Sequence, residues 1–314
     1  MIYTSVCEML DINYPVFQGG MAHISDATLA AAVSEAGGLG IISGASGDVV
    51  WLEEQIDKAR QLTDKPFGVN VMLMGNNVDE IAKLLARKKV AVVTTGAGNP
   101  EKYIPMWKEA GIKIIPVVPS AALAKLCERA GADAVIAEGG ESGGHVGDMT
   151  TMALVPQVCD AVKIPVIAAG GIADGRGVAA AFMLGAEAVQ VGTRFLSAIE
   201  CNIHRTYKEK LLKANDTATI VTGKRLGHPV RSLKSPFSRA YAKAEYTDIS
   251  DDDLENMAVG TLRAAVVDGD EKKGCFLAGQ VSGMIKKEQN ALEIIEEMFA
   301  EAEIILNGAK KWVK

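Results

Sequence analysis

The chain of 314 residues has few cysteines, few aromatic residues and no excess of positive charge. Its five cysteines form no CxxC pair, which argues against a disulfide framework or a zinc ribbon and fits reduced thiols in a cytosol. The net charge of −6 gives no general surface for nucleic acid. No stretch of about 18 residues is apolar and uncharged enough to cross a bilayer, and the N-terminus lacks the basic and apolar regions of a signal peptide. We therefore expect a cytoplasmic protein that binds neither membranes nor nucleic acids.

The chain is rich in glycine, with 32 residues, and short apolar runs alternate with helical patterns as far as Phe195. The runs are almost wholly apolar, which is typical of parallel strands covered on both faces. Strands are predicted at 14–18, 39–42, 67–72, 90–94, 112–118, 134–137, 165–169 and 188–191. Eight such units predict an α/β fold, a (β/α)8 TIM barrel. An open doubly wound sheet is the alternative, but the first turn, GGMAHIS, lacks the GxGxxG usual there.

The alternation of predicted strands and helices ends after the eighth unit. We expect 1–199 to be the barrel, 200–270 to be a helical subdomain without clear strands over the barrel mouth, and 271–314 to close onto the barrel. Within the subdomain, Lys224 to Lys243 contains six basic and no acidic residues. Such a segment is either a solvated face or a docking surface for an anionic partner.

Glycine-containing turns follow the last two predicted strands, at Gly170-Gly171 and at Gly192-Thr193. Loops after strands seven and eight hold a phosphate in many TIM-barrel enzymes, because their N–H groups can face one anion. Two ordinary turns with helix caps are the alternative. The pairing of the turns predicts a phosphate site.

The remaining strand ends offer few reactive side chains, apart from one imidazole. His145 lies in GGESGGHVGD, and its reference pKa of about 6.5 suits proton transfer near neutrality. The amide of Asn70 could pair with the edge of a ring, or Asn70 could simply be a hydrogen-bonded turn residue. Glu138 could accept from a ring N–H or a ribityl hydroxyl, or it could form a salt bridge at the barrel rim. No metal-ligand spacing occurs, and the Lys or paired carboxylates of an aldolase or isomerase barrel are missing. A phosphate site with few reactive groups indicates a cofactor that brings its own reactivity.

Seven motifs in order carry a family resemblance: QGGM, EAGGLGIISG, KPFGVN, VVTTGAGNP, AEGGESGGHVGDMTT, IPVIAAGGIADGRG and GAEAVQVGTRF. Together they resemble the flavin-dependent enoyl-acyl-carrier-protein reductases of type II, often called FabK. These enzymes belong to the wider nitronate monooxygenase (2-nitropropane dioxygenase) family of FMN-binding TIM barrels. The resemblance covers the barrel nearly end to end and extends to AGQ at 278–280.

The resemblance implies FMN as cofactor, NADH or NADPH as electron source and a trans-2-enoyl thioester on acyl carrier protein as acceptor; we also expect a homodimer and no metal. It implies a catalytic role for His145. Glu138 stands where nitronate monooxygenases commonly have Gln. The cofactor-binding residues implied are Gly20, Met21, Asn70, Glu138, Gly143, Gly144, Gly170, Gly171, Gln190, Val191, Gly192 and Thr193. Two alternatives remain open: a nitronate monooxygenase that uses FMN and O2 without NADH, and a flavin- or nucleotide-binding regulatory protein without turnover.

Overall fold

The fold is a parallel eight-stranded barrel, seen in a computed structural model that describes residues 2–312. The barrel strands are β1 (Val16–Gln18), β2 (Gly40–Ser43), β3 (Phe67–Met72), β4 (Val92–Gly96), β5 (Lys113–Val118), β6 (Val135–Glu138), β8 (Val166–Ala169) and β9 (Ala188–Val191). They pair in the order β1-β9-β8-β6-β5-β4-β3-β2. A bridge between Phe17 and Leu39 joins β1 to β2 and closes the ring. The predicted TIM barrel is therefore confirmed.

Helices follow the barrel strands and pack around them. They are α2 (Ala27–Glu35), α3 (Val49–Leu62), α4 (Val78–Lys88), α5 (Ile104–Glu109), α6 (Ala121–Ala130), α7 (Thr151–Ala161) and α8 (Gly175–Met183). Helices α2, α3, α6 and α8 begin with side-chain caps; at α8, Asp174 accepts from the backbone N–H groups of Arg176 at 3.0 Å and Gly177 at 3.3 Å. Gly185, with φ +98°, ends α8 in the left-handed conformation that glycine adopts most readily.

The amino-terminal end of the barrel is closed by a helix that the sequence analysis did not predict. This helix, α1 (Ser5–Leu10), packs Val6, Cys7 and Leu10 against the barrel interior. The interior is filled by apolar side chains such as Phe17 and Ile136. Ligands can therefore enter only from the opposite, carboxyl end of the strands, where TIM-barrel sites lie.

The expectation of a strandless segment after the barrel is wrong. Residues 200–270 contain two strands, β10 (Thr219–Thr222) and β11 (Val230–Leu233), which pair antiparallel. A third strand, β7 (Gly144–His145), comes from the long loop after β6 and pairs with β11. Both later strands are short and half polar, so no apolar run marked them. The small sheet ties the region after the barrel to the loop that carries His145.

The remaining helices complete the region after the barrel and the C-terminus. They are α9 (Arg205–Leu212), α10 (Pro236–Ala244), α11 (Asp251–Ala258), α12 (Thr261–Arg263), which continues into a π-helical turn over Ala264–Asp268, and α13 (Ala291–Gly308). Helix α13 packs against α8, and its Glu301 carboxylate accepts from Gly175 N at 2.7 Å. Within residues 2–312, no helix is both long and apolar enough to cross a membrane.

Candidate active site

The carboxyl ends of the barrel strands surround a cavity of about 550 Å³, a size typical of small-molecule sites. All but one of the predicted site residues line it, and these are Gly20, Met21, Asn70, Glu138, Gly143, Gly144, His145, Gly170, Gly171, Gln190, Gly192 and Thr193. Val191 is the exception, since its side chain packs in the apolar core. Its carbonyl accepts from Gly19 N at 3.0 Å and so helps to hold the first loop.

The two turns predicted to hold a phosphate lie side by side. Strands β8 and β9 pair with Ala169 opposite Gln190, so the turns that follow are neighbours. Gly170 and Gly171 have φ of +89° and +77°, the left-handed region that favours glycine. The N–H groups of Gly171 and Gly192 donate to no other residue in the part of the chain that the structure describes. Free N–H groups on adjacent turns make an anion site, so the geometry fits a phosphate.

Polar atoms also line the opposite wall of the cavity, where the loop after β1 comes close to β3. Thr94 Oγ1 donates to Asn70 Oδ1 at 3.0 Å, which leaves the Asn70 amide N–H2 free to donate. Ser43 pairs in register with Asn70, and its buried Oγ has no hydrogen-bond partner among residues 2–312. A Cβ at Gly20 would lie 2.3 Å from Asn70 Cβ, so only glycine allows the first loop to come this near. Unpartnered polar atoms beside a glycine wall fit a flat polar ring such as the flavin of FMN.

Glu138 ends β6 and carries a carboxyl group in the cavity wall. Within residues 2–312, the one hydrogen bond of this carboxyl group comes from Ser142 Oγ, which donates to Glu138 Oε1 at 3.2 Å. Loss of solvent raises the pKa of Glu138 to about 7, and the bond from Ser142 opposes that rise. Near neutral pH the group is therefore partly protonated, and a protonated carboxyl can donate a hydrogen bond as well as accept one.

His145 stands exposed at the cavity mouth, opposite Val230 of β11. The backbone on either side is held, because Val146 N donates to the carbonyl of Pro229 at 3.0 Å. Partial burial lowers the pKa of His145, and the neighbouring His228 lowers it further. The imidazole is thus neutral at pH 7 and presents one N–H donor and one nitrogen acceptor.

The loop that carries His145 is anchored at three points. Gly143 lies so near to Ala278 that a Cβ on it would stand 2.6 Å from the Ala278 carbonyl carbon. The Glu141 carboxylate accepts from Thr151 N and Thr151 Oγ1, each at 2.9 Å. Arg231 Nη2 donates to the carbonyl of Gly140 at 2.9 Å. These long-range contacts hold the imidazole at the cavity mouth, and no local sequence pattern predicted them.

The basic segment from Lys224 to Lys243 is not one uniform surface. Arg225 forms an ion pair with Asp251 at 2.8 Å and donates to the carbonyls of Thr247 and Ile249. Arg231 points inward to the His145 loop instead of outward. The acidic run that follows in sequence thus neutralises part of the segment, which weakens the case for a single docking face.

Among residues 2–312, no three His, Cys, Asp or Glu side chains lie where they could hold a metal ion. Burial raises the pKa of the Cys201 thiol to about 12 and that of Cys275 to about 11, so these thiols are poor nucleophiles. The reactive group at the mouth is the imidazole. The fold and site are therefore those of a TIM barrel whose cavity has free backbone N–H groups on one wall and an imidazole at its mouth.

Comparison with known proteins identifies the family. The nitronate monooxygenase family model matches residues 4–88 and 74–301. The structure of FabK from Thermotoga maritima is 51% identical, with a TM-score of 0.97 over 100% of both chains. The (3aS,4S,5R,7aS)-5-hydroxy-7a-methyl-1-oxo-octahydro-1H-indene-4-carboxyl-CoA dehydrogenase of Mycobacterium tuberculosis is 34% identical over 99% of each chain. A nitroalkane oxidase from Streptomyces ansochromogenes is 29% identical, with a TM-score of 0.86 over 99% of this chain and 100% of its own. The chain belongs to the nitronate monooxygenase family and is an oxidoreductase, and within that family it is most similar, of these three, to FabK.

Proposed function

We propose that the chain is an FMN-dependent enoyl-acyl-carrier-protein reductase that consumes NADH or NADPH. The observation that carries the proposal is that the unpaired N–H groups of Gly171 and Gly192 and the imidazole of His145 meet at one cavity. The full-length similarity to FabK supports the reductase branch. A relative that is named for a carboxyl-CoA substrate supports a thioester as substrate.

The barrel residues supply the contacts that FMN needs. Gly171, Gly192 and Thr193 would hold the phosphate, and Asn70 and Glu138 would bind the ring edge. Bound FMN would supply hydride transfer from the nicotinamide to the β-carbon of the enoyl thioester, and the α-carbon takes up a proton to complete the reduction. The protein supplies position and electrostatics.

His145 stabilises the charge that develops on the substrate. As the enoyl thioester is reduced, negative charge grows on its carbonyl oxygen, and a positioned donor there lowers the barrier by several kcal/mol. A neutral imidazole keeps an N–H for this bond at pH 7, and the lowered pKa ensures the neutral form. The contacts of Arg231 and Glu141 hold the loop, so the imidazole needs no reorganisation during the reaction.

A nitronate monooxygenase is the second candidate, because the neutral imidazole that could donate in a reductase could equally act as a base. A neutral imidazole can accept the proton that a nitroalkane loses from carbon, the step such an enzyme requires. The family match and the 29% identical nitroalkane oxidase agree with this activity. That enzyme would need O2 and no NADH.

Two assays separate the candidates. We expect the protein, loaded with FMN and kept anaerobic, to oxidise one equivalent of NADH or NADPH as the flavin is reduced, and to consume more only when crotonyl-acyl-carrier-protein is added. Uptake of O2 with a nitroalkane and without NADH would favour the monooxygenase instead.

His145→Ala should lose at least 100-fold in kcat while it keeps bound FMN. His145→Gln, which retains an N–H donor, should recover part of that loss. Full activity in His145→Ala would contradict the assigned role. Turnover lost in that variant while FMN stays bound would also exclude a regulatory protein that only binds flavin. The partner acyl carrier protein and a homodimer remain predictions.

A further inference from the structure

A second pocket lies outside the barrel cavity, between the end of α9, residues 214–218, the end of β11 and α10. Its volume is about 500 Å³, and basic side chains dominate its wall: Lys210, Lys213, Lys234 and Arg239. No acidic side chain belongs to this wall, which is drawn from residues 210–239. We call it the cationic pocket.

Three of its four cations form no close ion pair with a described residue, although the charge of Lys213 contributes at longer range to the lowered pKa of Glu271. Lys210 forms an ion pair with Glu271 at 2.8 Å. The side chains of Lys213, Lys234 and Arg239 are exposed and make no ion pair with any residue between 2 and 312. The chain as a whole has 39 acidic and 33 basic residues, so unpaired cations grouped around one concavity run against its general composition. Like charges grouped around one concavity repel, and an anion between them relieves that repulsion.

The pocket also offers a neutral donor. Thr217 N and Thr217 Oγ1 both donate to Asn215 Oδ1, at 3.1 Å and 3.2 Å. The Asn215 amide N–H2 then has no acceptor in the described chain and borders the pocket. Three cations and a free amide donor are the groups that bind a phosphate.

The cationic pocket is close to the active-site cavity. Val281 lines that cavity, and Gly283, two residues later in the 3-10 turn Gln280–Met284, packs against Asn215 of the cationic pocket. Two residues of 3-10 helix span about 4 Å. Strand β11 gives a second link, since it runs from Val230, opposite His145, to Leu233 in the pocket wall, about 10 Å along the strand.

We infer that the cationic pocket binds the phosphate of the phosphopantetheine arm that carries the acyl thioester. This inference rests on the proposed reductase function. The arm has a thioester at one end and a phosphate ester at the other, and its backbone is about as long as four to five extended residues, roughly 15 Å. A chain of that length can span from a thioester beside His145 to the end of β11 that borders the cationic pocket, about 10 Å along the strand. The same arm occurs on carrier protein and on coenzyme A, and the pocket recognises the chemistry they share. The anchored phosphate contributes binding that is independent of the acyl group.

The test removes the charge of the three unpaired cations in Lys213→Gln/Lys234→Gln/Arg239→Gln. These side chains are exposed and make no ion pair, so the fold should persist. Two substrates are compared at low ionic strength, crotonyl-4′-phosphopantetheine and crotonyl-N-acetylcysteamine, which has the thioester without the phosphate. We expect the KM of the first to rise at least tenfold and the KM of the second to stay within twofold. An equal change for both substrates, or no change for either, would overturn the inference.

A matched control carries the same loss of charge elsewhere: Lys58→Gln/Lys65→Gln/Lys125→Gln, three exposed lysines on other parts of the barrel. It should leave both KM values unchanged, and a tenfold rise in the control would show that net charge alone is responsible. A rise in the KM for NADH in place of the thioester would assign the pocket to the nucleotide and refute the thioester assignment.

Calorimetric titration with 4′-phosphopantetheine tests the pocket without turnover. We expect binding by the parent protein and at least tenfold weaker binding by the variant without these charges. If no enoyl thioester is reduced, the proposed function fails, but the titration still tests whether the cationic pocket binds the phosphate. Equal binding of 4′-phosphopantetheine by both proteins would refute that role.

Discussion

Substitution of Glu138 by Gln tests the electrostatics of the cavity wall. Burial raises the pKa of this carboxyl from an ordinary value of 4.5 to about 7. Glutamine has nearly the same shape and keeps both an acceptor oxygen and a donor, but it never ionises. The variant therefore mimics the protonated carboxyl at every pH.

The difference between parent and variant can be worked out from the two pKa values. Between pH 4.5 and about 7 the folded protein holds a proton that the unfolded chain has released, so the free energy of unfolding falls as the pH rises. At about 1.36 kcal/mol per pKa unit, the raised pKa lowers the free energy of unfolding by at most about 3 kcal/mol. Glu138 is only partly buried, and its contact with solvent makes this loss smaller. The loss is absent below pH 4.5 and complete above about pH 7.

Urea unfolding followed by circular dichroism, from pH 4.5 to pH 8.5, measures this difference. We expect Glu138→Gln to match the parent at the acid end and to exceed its free energy of unfolding by 1–3 kcal/mol at the alkaline end. Glu54→Gln, on the exposed face of α3, is the matched control and should follow the parent throughout. A constant offset between Glu138→Gln and the parent at all pH values would refute the raised pKa.

Two further substitutions test how the His145 loop is held. Gly143→Ala should destabilise the protein by about 1–3 kcal/mol, because its Cβ would lie 2.6 Å from the Ala278 backbone. The control Gly308→Ala has open space around its Cβ and should stabilise the protein by up to about 1 kcal/mol. Thermal unfolding compares the two variants, and equal effects would contradict the close packing at Gly143. Arg231→Gln loses the charged hydrogen bond to the Gly140 carbonyl, so we expect a roughly tenfold lower kcat with unchanged FMN affinity. Steady-state kinetics measures kcat and flavin fluorescence measures FMN affinity. An unaltered kcat would show that the His145 loop does not need this contact.

Much of the barrel could be predicted because its signals are local. Apolar runs such as 67–72 mark strands buried on both faces, and residues such as Asp174 and Gly185 mark where helices begin and end. Parallel pairing then brings the strand-end loops together, which explains why the predicted residues, Val191 apart, reach one cavity.

The parts that escaped prediction depend on contacts distant in sequence. Strands β10 and β11 are short and half polar, and β7 exists only because Val230 lies opposite His145. The raised pKa of Glu138 comes from burial by surrounding segments. The surface contacts of Arg225 and the inward direction of Arg231 depend on acceptors elsewhere in the chain. None of these features has a local sequence signal.

The proposed function requires that the turns at Gly170-Gly171 and Gly192-Thr193 hold the phosphate of a flavin. Titration of flavin-free protein with FMN, followed by quenching of flavin fluorescence and by the visible spectrum, tests this directly. We expect saturation at one FMN per chain with micromolar or tighter affinity, and much weaker binding of riboflavin, which lacks the phosphate. A protein that stays colourless in excess FMN, or that binds riboflavin as tightly as FMN, would contradict the assignment of these turns as a flavin phosphate site.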